Sequence, residues 1–86
     1  MTMTPMMNEF VNAVEQIAAA NHAHHIDVVT VELGAKCNVT PFYFHEQFCK
    51  ATRNTILEGA ELHFIMATDE TDEHAEDIVL WGLEIV

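Results

Sequence analysis

The chain has 86 residues, half of them apolar, and sets 3 lysines and arginines against 14 aspartates and glutamates for a formal net charge of −11. That length fits one domain over residues 1–86, and half-apolar composition calls for a packed core rather than disorder. Lys36, Lys50 and Arg53 are the only fixed cations, too few for phosphate backbones or anionic membranes, so nucleic acid and membrane are poor partners; a basic protein surface or a cation suits the charge.

No run of 18 apolar residues offers a membrane span, and the first residues lack the positive start of a signal peptide. Cys37 and Cys49 form no CxxC pair. Together these features fit a reducing cytoplasm and free thiols.

Met1–Met3 read as a frayed start. Thr4-Pro5 then reads as an N-cap followed by proline at the first helical position. Met7, Phe10, Val11, Val14, Ile17 and Ala18 follow at helical spacing, and the helix fades near Asn21-His22. Ile26–Leu33 is β-branched, with Val29, Val31 and Leu33 on one face of a strand that Gly34 ends. Thr40-Pro41 repeats the cap-plus-proline signal and opens a helix to about Thr52, with Phe44, Phe48 and Ala51 or Thr52 as its buried stripe. Glu58-Gly59 turns the chain into a second strand, about Ala60–Ala67. The acidic stretch Thr68–Glu76 reads as a solvated hairpin loop. A third strand spans Asp77–Val86, where Ile78 and Leu80 are out of phase with Leu83 and Ile85, and a β-bulge at Gly82 would return all four to one face.

The order α-β-α-β-β predicts an α/β (α+β) fold: a three-stranded mixed sheet with both helices on one face. The strand–helix–strand unit makes its strands parallel, and the last two strands are expected to form an antiparallel hairpin. Helices on one face leave Ile65, Val79 and Trp81 on the other. Such a leftover apolar set marks an interface, and a homodimer is the expected outcome.

The stretch Val31-Glu32-Leu33-Gly34, then Val39-x-Pro41, Phe48, and Thr52-x-x-Thr55-Ile56-x-Glu58-Gly59-Ala60-Glu61-Leu62 resembles the hydrogenase nickel-incorporation accessory proteins of the HypA type. The likeness covers about residues 7–67 and 77–86, where Leu83-Glu84-Ile85 is similar to the family's returning strand. It implies the same helix–strand–helix–strand order, a nickel cargo, and work through protein contact in hydrogenase-type maturation rather than catalysis. Two departures stand out. The family's zinc insert carries two CxxC pairs, four thiolates for tetrahedral zinc, whereas an acidic stretch without cysteine occupies that place here; no structural zinc of that type is expected. The family's nickel site begins Met-His-Glu, and the similar positions here are Met7-Asn8-Glu9. Only Glu9 carries over, because an asparagine amide is a poor nickel ligand.

His22, His24 and His25 form the densest ligand cluster. They could hold Ni(II), Cu(II) or Zn(II) with neighbouring carboxylates, which makes a metal-binding or metal-buffering module the alternative function; equally, histidines suit the C-terminal end of a helix dipole. His45 and Cys49 lie four apart and share a helix face. A metal could use both, but beside the Phe44/Phe48 stripe Cys49 is expected partly buried, as a small hydrophobe. The acidic run Asp69, Glu70, Asp72, Glu73, Glu76 and Asp77 lacks the glycine and closing glutamate of an EF-hand loop. No phosphate loop, HExxH or GxSxG motif is present.

Overall fold

The computed structural model describes residues 4–86. Met1–Met3 and the side chain of Thr4, read above as a frayed start and a cap, lie outside the described residues. The elements are α1 (Thr4–Ala20), β1 (Ile26–Leu33), α2 (Pro41–Ala51), β2 (Glu61–Met66) and β3 (Ile78–Ile85). The order is the one the sequence predicts.

Each boundary has a local cause. At the start of α2 the Thr40 hydroxyl accepts the Tyr43 N–H at 3.1 Å, satisfying one orphan donor, while Pro41 needs none. α1 ends when His22 takes a left-handed φ of 55°. The Ala23 N–H then reaches the Ala18 carbonyl at 3.0 Å and the His22 N–H reaches that of Ala19 at 3.1 Å. These two bonds are the Schellman closure, usually supplied by glycine. The turn after α2 is held by side chains: the buried Thr52 hydroxyl donates to the Phe48 carbonyl at 2.8 Å, and that of Thr55 to the Thr52 carbonyl at 2.7 Å. Gly59, at φ 80°, then releases the chain into β2.

The sheet order is β2-β1-β3, with β1 parallel to β2 and antiparallel to β3. The parallel pairing is as expected. The hairpin between the last two strands is corrected: β2 and β3 are the two edges and do not pair. β1 takes the centre, and its Ile26, Val29, Val31 and Leu33 are the most completely buried strand residues. The stretch after β2 therefore crosses the end of β1 instead of doubling back. It is tied there by Ala67 N–H to Leu33 O at 3.0 Å, Gly34 N–H to Asp77 O at 2.9 Å and Lys36 N–H to Ala75 O at 2.7 Å.

The bulge in β3 is where the phase change required it. Thr30 pairs with Gly82 and Val31 with Leu80, so Trp81 is skipped. Ile78, Leu80 and Leu83 consequently all oppose core positions of β1 and pack on the core. Met7, Val11, Val14 and Ala18 of α1, Phe44 and Phe48 of α2, and Leu57 complete that core. Burying each large side chain contributes about 1.5–3 kcal/mol. Ile17 is 43% exposed: it lies about 90° around the helix from the centre of the buried stripe at 100° per residue. Met66, at the end of an edge strand, is likewise exposed.

Candidate functional site

Two surfaces position the residues that the sequence singles out: the ends of α1, and the sheet face away from the helices. Glu9 is exposed on the second turn of α1, beside a cavity of about 240 Å³ lined by Met6, Met7, Phe10, Phe44 and Ile78. Asn8 lies at the rim of another cavity, with Gln47 and Lys50. His22, His24 and His25 are at the far end of the same helix. Thirteen residues at 1.5 Å each separate Glu9 from His22 by about 20 Å, so the structure does not bring the four proposed metal ligands together.

The histidines also have structural work. His22 is the left-handed closing residue of α1. The His24 N–H donates to the Val86 carbonyl at 2.9 Å, and the His25 carbonyl accepts the Val86 N–H at 2.9 Å, extending the pairing of β1 with the C-terminal strand. Their rings are exposed, with His25 Nε2 3.7 Å from Asp27 Oδ1. Among the described residues no group of three or more His, Cys, Asp or Glu is placed to hold a metal ion.

The outer sheet face has a definite register. One row reads Glu61–Val28–Glu84, the next His63–Thr30–Gly82, and the third Ile65–Glu32–Val79. Of the three apolar residues assigned to an interface, Ile65 is half-buried, Val79 is 38% exposed, and Trp81, at the bulge, is 65% exposed. Glu32 stands between Ile65 and Val79. Pattern alone gave no reason to place it there, because that needs the pairing of β1 with both neighbours. His63 Nε2 lies 2.6 Å from Glu61 Oε2 on the same face. Every fixed charge in these rows is negative, a field that repels a like surface and attracts a basic one.

The crossing stretch is more ordered than a bare charge run. Asp69 Oδ1 accepts both the hydroxyl and the N–H of Thr71, which lowers the Asp69 pKa. A hydrogen bond to Asp77 at 2.9 Å, aided by the nearby charge of Glu73, raises the pKa of His74. Ala75 is buried, and its carbonyl and that of Asp77 press on Gly34. That contact was not foreseen; the glycine ending β1 was its one sequence signal.

Both cysteines are free. Cys37 is half-buried, its thiol donating to the Val39 carbonyl at 3.6 Å. The expected partial burial of Cys49 is corrected: it is exposed on α2, with Sγ 3.7 Å from His45 Nε2. The reason is rotational. Phe44 and Phe48 fill the buried stripe, and Cys49, one residue on, is turned about 100° from it.

A family model described as HypA, hydrogenase/urease nickel incorporation, metallochaperone, matches residues 1–72. The fold is similar to a solution structure of the nickel metallochaperone HypA from Helicobacter pylori, with a TM-score of 0.81 and 16% identity over 100% of this chain and 98% of that one. It is also similar to a second solution structure of a HypA protein, with a TM-score of 0.75 and 15% identity over 100% and 98%. No curated protein matches the chain. The matched span covers more than half of the sequence and contains the turn signature of Thr52–Leu62, and on that ground the chain belongs to the HypA family of nickel-incorporation metallochaperones.

Proposed function

We propose that this chain is a single-domain HypA-type accessory protein, acting through contact with a protein partner in metalloenzyme maturation of the hydrogenase type. The observation that carries this reading is the joining of the family scaffold to an acidic, cysteine-free crossing stretch, tied by backbone hydrogen bonds to the end of β1. The family is one of metallochaperones rather than enzymes, and the chain is read in the same way. No described helix is long and apolar enough to cross a membrane, and the cytoplasm is the proposed setting. The direct experiment is recovery of the tagged protein from its native cell, with partners identified and metal content measured together. Co-purification of a metalloenzyme subunit or its maturation partners supports the reading. Recovery with no such protein argues against it.

Nickel, as cargo, is expected to bind weakly or not at all at Asn8-Glu9. There an asparagine amide stands where the family has an imidazole, and an amide is a poor nickel ligand. A calorimetric nickel titration should show no tight 1:1 site dependent on Glu9; such a site abolished by Glu9→Ala would overturn the expectation. A nickel site lost instead on joint replacement of His22, His24 and His25 by alanine would favour the metal-buffering alternative.

The outer face is the proposed contact surface, and we propose a homodimer through Ile65, Val79 and Trp81 in which apolar burial outweighs the mutual repulsion of Glu32, Glu61 and Glu84. Light scattering after size exclusion at micromolar protein should give the mass of two chains. Trp81→Glu should then return one chain with unchanged helical circular dichroism, because Trp81 is already largely exposed within the subunit. A one-chain mass for the unaltered protein ends the homodimer and leaves a basic partner as the occupant suited to Glu32, Glu61 and Glu84.

A further inference from the structure

The second half of α2 carries two donor atoms that the family resemblance does not account for. Cys49 Sγ lies 3.7 Å from Nε2 and 3.9 Å from Nδ1 of His45, and both side chains are exposed. They sit four residues apart on a regular helix, so the backbone holds them on one face in the folded chain. A tetrahedral metal bound at about 2.3 Å to a thiolate and about 2.0–2.1 Å to an imidazole nitrogen sets those donors ~3.6 Å apart. The same bonds at a right angle, as in square-planar Ni(II), would set them about 3.1 Å apart. Sγ is nearly equidistant from the two ring nitrogens, so a rotation of these exposed side chains is what aims one nitrogen and the sulfur at a shared ion.

We propose that His45 and Cys49 form an open, two-donor site for a zinc-class divalent ion. The site borders a cavity of about 330 Å³, lined also by Phe48, Thr52, Arg53 and Glu58. That space leaves room for water or for donors from a partner to complete four-coordination. On binding, the Cys49 thiol gives its proton to solvent and the thiolate takes the metal, while neutral His45 binds through its free ring nitrogen. The chain's net charge of −11 favours approach of a cation. Arg53, on the same cavity, opposes it, and with only two protein donors the ion exchanges readily. This site therefore loads and unloads where a closed four-thiolate site would retain its metal.

Cobalt(II), titrated into the reduced full chain with a phosphine reductant present, is the probe. The expected result is a near-ultraviolet thiolate-to-cobalt charge-transfer band that saturates at one ion per chain. Cys49→Ser and His45→Ala should each abolish it, and Cys37→Ser should leave it intact, since the Cys37 thiol is turned to the Val39 carbonyl. His45 and Cys49 are exposed, so circular dichroism should stay native in both variants. Absence of the band in the unaltered protein, or its persistence in Cys49→Ser, overturns the site. Persistence in His45→Ala also overturns it, because a lone thiolate would then suffice.

Discussion

Gly34→Ala is expected to destabilise the fold by about 3 kcal/mol, a severe case of overpacking. A Cβ on Gly34 would lie 2.2 Å from the Ala75 carbonyl oxygen, 2.7 Å from its carbon and 2.8 Å from the Asp77 oxygen. These are backbone atoms, which cannot swing aside like a side chain. They can retreat only by breaking the bonds that tie the crossing stretch to β1, Gly34 N–H to Asp77 O and Lys36 N–H to Ala75 O. A domain of this length holds only about 4–13 kcal/mol in all. At roughly 4–8 °C per kcal/mol, Tm should fall by about 12–24 °C. Gly82→Ala is the control, because nothing lies within 4 Å of a Cβ there. Thermal unfolding of the two variants side by side checks the claim; equal Tm values would show that the crossing stretch does not press on β1.

Phe44→Ala should cost about 3–5 kcal/mol, the range for emptying a buried aromatic site. Phe44 is 1% exposed and ties three elements together. Its ring meets Phe10 of α1 edge-on at 5.5 Å, Phe64 of β2 edge-on at 5.7 Å, and stacks near Phe48 at 6.2 Å. Few neighbours can collapse into the space, since the other core side chains lie on fixed strands and helices. Phe42, two residues earlier on α2, is 78% exposed, and Phe42→Ala should change stability by less than about 0.5 kcal/mol. Urea unfolding of both variants reads the difference. A Phe44→Ala protein as stable as Phe42→Ala would mean that α2 does not pack as described.

The elements were legible in the residues because each carries a local signal. Thr40-Pro41 caps a helix, β-branched residues fill Ile26–Leu33, and the phase change across Gly82 announced a bulge. Strand order was not legible. A hairpin between β2 and β3 and a crossing over the end of β1 make the same alternation of apolar residues, and only long-range pairing distinguishes them. The same pairing set Glu32 between Ile65 and Val79, so the leftover apolar residues are broken by a carboxylate. Among candidate ligands, spacing placed His45 and Cys49 on one face but could not say that the thiol would be exposed. The histidines of residues 22–25 looked like ligands by density, while His22 serves as a backbone closure that glycine usually provides.

We infer that this HypA-family scaffold folds without a four-thiolate zinc unit. Zinc per chain, measured by elemental analysis after dialysis against a mild chelator, with circular dichroism and Tm recorded on the same sample, tests it most directly. The chain has two cysteines and no CxxC pair, and an open two-donor site gives up its ion to a chelator. The expected result is zinc far below one per chain, with helix content and unfolding unchanged by dialysis. One zinc per chain retained through dialysis, or unfolding once the metal is stripped, would contradict the claim.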